Sequence, residues 1–416
     1  MKNTVFTKQL LFQIAAILLL VLVSISTSKD GGDFDVFLDA ARKLKNGQNI
    51  YAPPFVDGLQ YYYSVFFALI LIPISSNVFI AEVLWSLFSF FLLYRSFVLV
   101  KHYFDFSAMT KRQYTTWVIL IVLLSLQFIL YNVALIQITV FLLWGILETM
   151  RLMDNKKPIL AGVLLGLIIN IKIMPLLILP YLFYRGYFKT LLATLATFGI
   201  LLFLPALFIG IDFNQFLLSE WWHIINPSNK EHLFETGNGS HSVVAVLPVY
   251  LTETVGEMPY KRNFLNLSHQ NVELIINLTR LFILGSSLLY FKALPFKKET
   301  NKLKSFWEIS FFVLIIPLLM PHQQKYAFLL AAPMIAYLLY YFIVTFKQAK
   351  TKQYYVVFGL FCVSMLFYSP LYGSDILGRF WFNYTQHFRI LSFATLFLIP
   401  ISLYCSPRKL KPEETI

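Results

Sequence analysis

Three aspartates, Asp33, Asp35 and Asp39, lie within seven residues in the stretch DFDVFLDAARKLKNGQNIYAPP, in a chain with only 21 acidic residues. A carboxylate within hydrogen-bond reach of an attacking hydroxyl group can accept its proton as a general base. One of these side chains could have that role beside a membrane. Alternatively, the Asp33 carboxylate could cap the following helix by accepting from its first free backbone amides, while Asp35 and Asp39 face water.

Three cations could bind an anionic substrate. Lys172 lies in the apolar stretch NIKIMP, where a charge is costly and tends to be functional. It could hold a phosphate as a point charge, or extend its ammonium group to the membrane interface. His322, in PHQQKY, could hydrogen-bond a phosphate or a sugar hydroxyl, or be a solvated turn residue. Lys325, in the same turn, could add positive charge.

Seven further side chains could stack on a sugar or hydrogen-bond to it: Asn132, Gln137, Trp221, Trp222, His223, Asn238 and Ser240. The tryptophans and the histidine could contact sugar faces, or belong to the aromatic belt at the membrane surface. The asparagine and glutamine at the end of a span could join helices or line a cavity. The loop asparagine and serine are of the kind that holds sugar hydroxyls, although alone they indicate only a polar loop.

The composition places these residues in a membrane protein. Hydrophobic residues make up 58% of the 416 residues and charged residues 13%, whereas a soluble domain has about 25% charged residues. We therefore predict an all-α polytopic protein, with one membrane domain over residues 1–416. A spanning helix needs about 20 mainly apolar residues. About twelve segments approach this length: 10–27, 77–100, 113–131, 134–153, 158–170, 173–185, 190–210, 272–291, 305–320, 325–346, 354–372 and 388–405.

The basic residues predict the orientation. If the apolar segment 61–75 is re-entrant or interfacial rather than spanning, 21 Lys and Arg residues lie in loops on one side and 11 on the other. The positive-inside rule assigns the richer side to the cytoplasm. The long loops 28–76 and 211–271 then lie outside, as do Asn132, Lys172, the turn 321–325 and the loop 373–387. The net charge of +13 is explained by this distribution, so we expect no nucleic-acid partner.

A short helix is expected in the first outer loop. The apolar residues Phe34, Phe37, Leu38, Ala41 and Leu44 follow helical spacing, and charged residues fall between them. Such an amphipathic helix can lie at the membrane surface.

Four stretches together resemble glycosyltransferase family 87, of the multi-spanning GT-C class. They are the opening DFDVFLDAARKLKNGQNIYAPP with YYYSVFFALILIPIS, Asn132 with Gln137, AGVLLGLIINIKIMPLLILPYLFYRG, and the outer WWHIINPS and GNGSHSVVAVL followed by MPHQQKYAFLLAAP. Phe37 stands where this family more usually has Tyr.

The resemblance implies a GT-C-like helix bundle in the cell (inner) membrane, with its active site on the non-cytoplasmic side. It implies an inverting transfer of a hexose, with mannose as the first candidate, from a polyprenyl-phosphate donor to a lipid-linked or glycan acceptor. In that alignment Asp33 is the base, with Asp35 as the alternate, and Lys172 binds the donor phosphate. No cofactor is expected. The acidic residues do not have the spacing of a metal site, so we predict metal independence.

Two alternatives stay open from the sequence. A flippase of lipid-linked saccharides would use charges within spans, for which Glu82, Glu148, Arg280 and Glu308 are candidates, and a broken helix at 158–185. A glycan polymerase would also have large outer loops, usually rich in arginine. Loop 211–271 contains only three basic residues: Lys230, Lys261 and Arg262.

Overall fold

The computed structural model describes residues 18–29, 32–226, 229, 233–237, 239–346 and 351–410. These residues form helices and connecting turns, and none of them is in a strand, which confirms the all-helical prediction. The α-helices are α1 Leu18–Thr27, α2 Phe34–Lys45, α3 Val65–Leu71, α4 Val78–Lys101, α5 Lys111–Ala134, α6 Thr139–Asp154, α7 Pro158–Ile171, α8 Leu179–Tyr184, α9 Phe188–Phe203, α10 Ala206–Ile209, α11 Ile211–Ile225, α12 Val243–Leu251, α13 His269–Gly285, α14 Ser287–Phe291, α15 Lys302–Leu319, α16 Ala332–Thr345, α17 Lys352–Tyr368, α18 Ser374–Leu377, α19 Arg379–His387 and α20 Ile390–Tyr404. Short 3-10 helices lie at Val56–Gly58, Ile72–Ile74, Met174–Ile178, Lys325–Ala331, Pro370–Tyr372 and Pro407–Leu410.

Side-chain caps explain where several long helices begin. The side chain of Asn77 accepts from the backbone N–H of Ile80 at the start of α4. Thr110 and Gln113 form a reciprocal capping box before α5, and Asn301 caps α15. Each cap satisfies a backbone donor that the first helical turn leaves without a partner.

In the described part of the chain, five helical segments are long and apolar enough to cross a membrane. They are Val78–Lys101, Lys111–Ala134, Phe188–Ile209, His269–Phe291 and Lys325–Thr345, and a sixth results if α19 and α20, bent by 60°, form one span. The predicted number of about twelve is not confirmed, because α7 has only 14 residues and α17 only 17. The predicted span 10–27 is described only from residue 18.

The segment predicted to be re-entrant contains the short helical stretch Val65–Ile74. At 1.5 Å per residue its ten residues extend about 15 Å, roughly half the hydrocarbon thickness of a bilayer. This length is too short for a span. Whether the segment enters the membrane stays a prediction.

Close packing of α7 on α9 and the end of α7 determine where Lys172 lies. Gly162 and Gly166 face α9 so closely that a Cβ atom at Gly162 would lie 2.5 Å from the Thr190 carbonyl oxygen. Such small residues let helix backbones approach in membranes. The helix ends at Ile171, and Lys172 adopts an extended conformation before the 3-10 turn at Met174–Ile178. The ammonium-bearing residue therefore lies at a break between helices.

Candidate active site

A cavity of about 910 Å³ lies between α2, the segment 55–63, the break after α7, α13 and the turn that follows α15. Its acidic, basic and histidine lining residues, among those described, are Asp33, Lys172, Glu235, Arg280 and His322. Segments far apart in the sequence thus bring carboxylates and cations to one place.

Asp33 occupies the N-cap position of α2 but its side chain makes no capping hydrogen bond. Instead, the Gln137 side-chain amide donates to Asp33 Oδ2, and the backbone N–H of Asp33 donates to the Leu135 carbonyl oxygen at 3.0 Å. Gly32 permits this approach, because a Cβ atom there would lie 2.8 Å from the Leu135 oxygen. The capping interpretation of the carboxylate is therefore wrong, since a neutral amide holds it at the cavity wall.

The surroundings of Asp33 favour proton transfer. Burial raises the pKa of this carboxyl group above its ordinary value, while the positive charge of Lys172 and the hydrogen bond from Gln137 oppose the rise. A carboxylate with a raised pKa is a better proton acceptor and is common at catalytic sites.

The Lys172 side chain reaches the cavity through a cage of tyrosines. Its Nζ donates to the Tyr63 hydroxyl at 3.2 Å, and lies 5.0 Å from the Tyr63 ring centroid and 5.9 Å from that of Tyr326. Among the described residues no carboxylate lies within 4.0 Å of it. Tyrosine hydroxyls and ring faces orient the ammonium group without neutralising its charge.

His322 is held by Glu235. The His322 ring Nδ1 lies 2.6 Å from Glu235 Oε1, and the His322 backbone N–H donates to both carboxylate oxygens at 2.8 and 2.9 Å. Ser240 Oγ donates to Glu235 Oε2 at 2.5 Å, and the Tyr62 ring packs 4.5 Å from the imidazole. Burial would raise the pKa of Glu235, but the hydrogen bonds from His322 and Ser240 hold it below its usual value. The carboxylate thus joins the outer loop to the turn after α15.

Backbone strain accompanies this arrangement. His322 has φ of 56°, in the left-handed region that non-glycine residues rarely adopt. Such residues persist where their surroundings hold them, and they concentrate at functional sites.

Two other predicted residues hydrogen-bond to residues that line the cavity. Asn132 Nδ2 donates to the carbonyl oxygens of Phe128 and Tyr326, at 2.8 and 3.0 Å. Trp221 is buried and its indole N–H donates to the Tyr62 carbonyl oxygen at 3.2 Å. Neither Asn132 nor Trp221 lines the cavity, so both fix the residues that do.

The structure places several other predicted residues away from the cavity. Lys325 Nζ lies over the Tyr372 and Phe382 rings, 5.2 and 4.9 Å from their centroids. Asp35, Trp222 and His223 also do not line the cavity, and the latter two are exposed. Asn238 lies outside the described residues. Of the predicted loop residues, Ser240 does line the cavity.

Glu235 and Arg280 are site residues that the sequence motifs do not single out. The sequence favours Arg280 only as a transporter charge, although a cation within the apolar run INLTRLFIL indicates a functional site. Of the other transporter candidates, Glu148 contacts Arg151 and Arg95, and Glu308 contacts Arg185. Glu82, Glu148 and Glu308 do not line the cavity.

The apolar helices indicate a multi-helix membrane protein, and its cavity is lined by both carboxylates and cations. The family model for Glycosyltransferase family 87 matches residues 61–260, so the chain resembles this family, and the match indicates a glycosyltransferase. Searches of curated proteins and of solved structures gave no match. The matched residues include Lys172 and Glu235 but neither Asp33 nor His322, so the roles of those two are argued from geometry.

Proposed function

We propose that the protein transfers a hexose from a polyprenyl-phosphate donor to a hydroxyl group of a lipid-linked or glycan acceptor. Mannose is the first candidate for this hexose. One observation carries this proposal: Asp33, held by Gln137, lines the same cavity as the cation Lys172 and the imidazole of His322. A base and a set of phosphate-binding cations are what a direct sugar transfer from a phosphate ester requires.

In this reaction the acceptor oxygen forms a bond to the anomeric carbon, and the bond from that carbon to the phosphate oxygen breaks. Asp33 accepts the proton of the acceptor hydroxyl group. The electron pair of the broken bond leaves with the polyprenyl phosphate, whose added negative charge Lys172 and His322 stabilise. A single displacement inverts the configuration at the anomeric carbon.

The charge of the cavity favours a monophosphate donor. Among the described lining residues, the cations Lys172 and Arg280 are balanced by the carboxylates of Asp33 and Glu235. A phosphate diester adds only a single negative charge to this lining. A diphosphate brings more charge and commonly needs a metal ion. Metal independence stays a prediction.

The apolar lining favours a lipid-borne donor. Seven lining residues have hydrocarbon or thioether side chains and come from the break after α7, from α11 and from α13: Ile173, Met174, Leu177, Ile224, Ile225, Leu281 and Leu284. A polyprenyl chain is a suitable ligand for such a surface because burying it removes apolar area from water.

The predicted orientation of the chain places the segments that line the cavity on one side of the membrane. A single argument from the basic residues predicts that the first outer loop, the 211–271 loop, Lys172 and the turn after α15 lie on the non-cytoplasmic side, and all four contribute to the cavity. We therefore propose that the reaction occurs on the non-cytoplasmic side of the cell (inner) membrane.

The test uses the purified protein in nanodiscs with polyprenyl-phosphate-mannose and a membrane lipid extract. We expect release of polyprenyl phosphate only when an acceptor is present, and a product with inverted anomeric configuration. A retained configuration would contradict direct displacement. Failure to release phosphate from any polyprenyl-linked sugar, combined with movement of the intact lipid across the bilayer, would instead support the flippase alternative.

A further inference from the structure

Arg280 lies in an unusual position for a charged residue. It is the twelfth residue of the 23-residue candidate span His269–Phe291. Its neighbours Leu278, Leu281 and Phe282 are 56%, 67% and 78% exposed, so α13 presents an apolar surface to its surroundings there. A guanidinium group in a membrane span is costly unless it faces a cavity or binds a partner.

The contacts of Arg280 orient it but do not neutralise it. Its Nε donates to the Leu319 carbonyl oxygen at 3.1 Å, at the end of α15. Within the described ranges no carboxylate lies within 4.0 Å of its side-chain nitrogens. Since Arg280 lines the cavity, its terminal amino groups can serve a ligand, and a planar guanidinium fits phosphate with two hydrogen bonds.

The residues that follow Arg280 connect the cavity to the exposed apolar surface of α13. Leu281 and Leu284 both line the cavity, and Leu281 is also largely exposed. On a helix, residues 280 and 284 lie one above the other on the same face. Leu177, Ile224 and Ile225 add apolar lining from other segments.

We propose that Arg280 binds the phosphate of the polyprenyl-phosphate donor, and that the donor's hydrocarbon chain leaves the cavity over Leu281 and Leu284. This inference rests on the proposed transferase function and adds a donor-binding residue and a lipid portal at α13. The donor then lies with its phosphate among Lys172, Arg280 and His322 and its sugar directed toward Asp33.

The test measures binding to the full-length protein in non-ionic detergent. The probes are farnesyl phosphate, farnesol and inorganic phosphate, and the variants are Arg280→Gln and Arg280→Lys. Lys261→Gln, which removes an exposed charge in the outer loop, is the matched control. Thermal unfolding of every variant reports whether the fold is kept.

We expect Arg280→Gln to bind farnesyl phosphate about 10- to 100-fold more weakly than the native protein, as loss of a charged hydrogen bond predicts. Farnesol binding should not change, Arg280→Lys should be intermediate, and Lys261→Gln should behave as native. Equal loss of farnesol and farnesyl phosphate binding would indicate a purely structural role and overturn the inference, as would unchanged binding of farnesyl phosphate.

Two further arms identify the ligand. If inorganic phosphate competes as well as farnesyl phosphate, the proposed portal for the hydrocarbon chain is wrong. If binding of phosphatidylglycerol is weakened by Arg280→Gln and binding of farnesyl phosphate is not, Arg280 binds a phospholipid instead of the donor. Because these measurements need no sugar transfer, an Arg280-dependent lipid phosphate site could be established even if the transferase assay failed.

Discussion

The environments of Arg185 and Arg280 differ in how the charge of the guanidinium group is balanced. Arg185 is 1% exposed and contacts Glu308, which is fully buried, with Nε donating to Glu308 Oε2 at 2.9 Å. Glu299 lies 3.4 Å from the same guanidinium. Arg280, like Lys172, has no carboxylate within 4.0 Å in the described part of the chain. Cations of the first kind hold helices together, whereas those of the second kind keep their charge for a ligand.

The same contrast applies to the carboxylates. Glu308 is paired with an arginine, whereas Asp33 accepts its hydrogen bond from the neutral amide of Gln137. The Glu308 carboxylate is already occupied by a guanidinium group, whereas the Asp33 carboxylate lines the cavity, where a substrate hydroxyl group can reach it. The cavity therefore contains charges that can act in a reaction, and the Arg185 cluster contains charges that already satisfy one another.

The largest effect is expected for Asp33→Asn. The amide side chain of the variant can occupy the same space, but it cannot take the proton from the hydroxyl group of the acceptor substrate. The rate of sugar transfer should therefore fall about 10²- to 10⁴-fold. The measurement is the initial rate of polyprenyl phosphate release. Asp35→Asn is the matched control because Asp35 does not line the cavity, and its rate should stay close to native.

Arg185→Met should act on stability. It leaves the buried Glu308 without its main partner, and breaking such a pair costs about 3–5 kcal/mol in the free energy of unfolding. Thermal unfolding in detergent would measure the loss. The double variant Arg185→Met with Glu308→Leu should recover most of it. If Arg185→Met alone were as stable as the native protein, the pair of Arg185 and Glu308 would contribute no more to stability than the charges in the cavity.

Lys172→Gln should lower kcat/KM about 10- to 100-fold, because one charged contact to the phosphate is lost. Its thermal stability should change little, since no ion pair to a described residue is broken. Loss of stability without a change in kcat/KM would show that the Lys172 charge stabilises the fold and does not bind the phosphate.

A smaller effect is expected for Glu235→Gln. The amide oxygen can still accept the backbone N–H of His322 but no longer carries a charge opposite the imidazole. We expect kcat/KM to fall about 3- to 10-fold, the size of one net hydrogen bond. Ser240→Ala, which removes one hydrogen bond to the same carboxylate, is the matched control and should have the weaker effect.

The helical fold and part of the site could be predicted from the sequence. The apolar segments and their spacing indicated helices throughout, and the distribution of basic residues grouped the first outer loop, Lys172 and His322 on one side. The number of spans stays a prediction, because only five described helical segments, or six with the bent pair, are long and apolar enough to cross a membrane. A break within 158–185 is expected from the sequence, and α7 does end inside that segment, at Ile171.

Contacts between distant segments could not be predicted. Gln137 was expected to contact sugar, but it lies 104 residues from Asp33 and donates to its carboxylate. Glu235 contacts His322 across 87 residues, and its neighbours in the sequence give no sign of that partner. Lys325 was grouped with His322 because both lie in one turn, yet its ammonium group points to the Tyr372 and Phe382 rings.

The most direct test of Asp33 as a base next to Lys172 is the pH dependence of kcat/KM. Only the deprotonated carboxylate accepts a proton, so the rate should fall as pH falls through the Asp33 pKa, which burial raises above the ordinary 3.8. Lys172 lowers this pKa, so Lys172→Gln should move the acid limb to higher pH. The residual activity of Asp33→Asn should lack this limb. An unchanged acid limb in Asp33→Asn would contradict the assignment of Asp33 as the base.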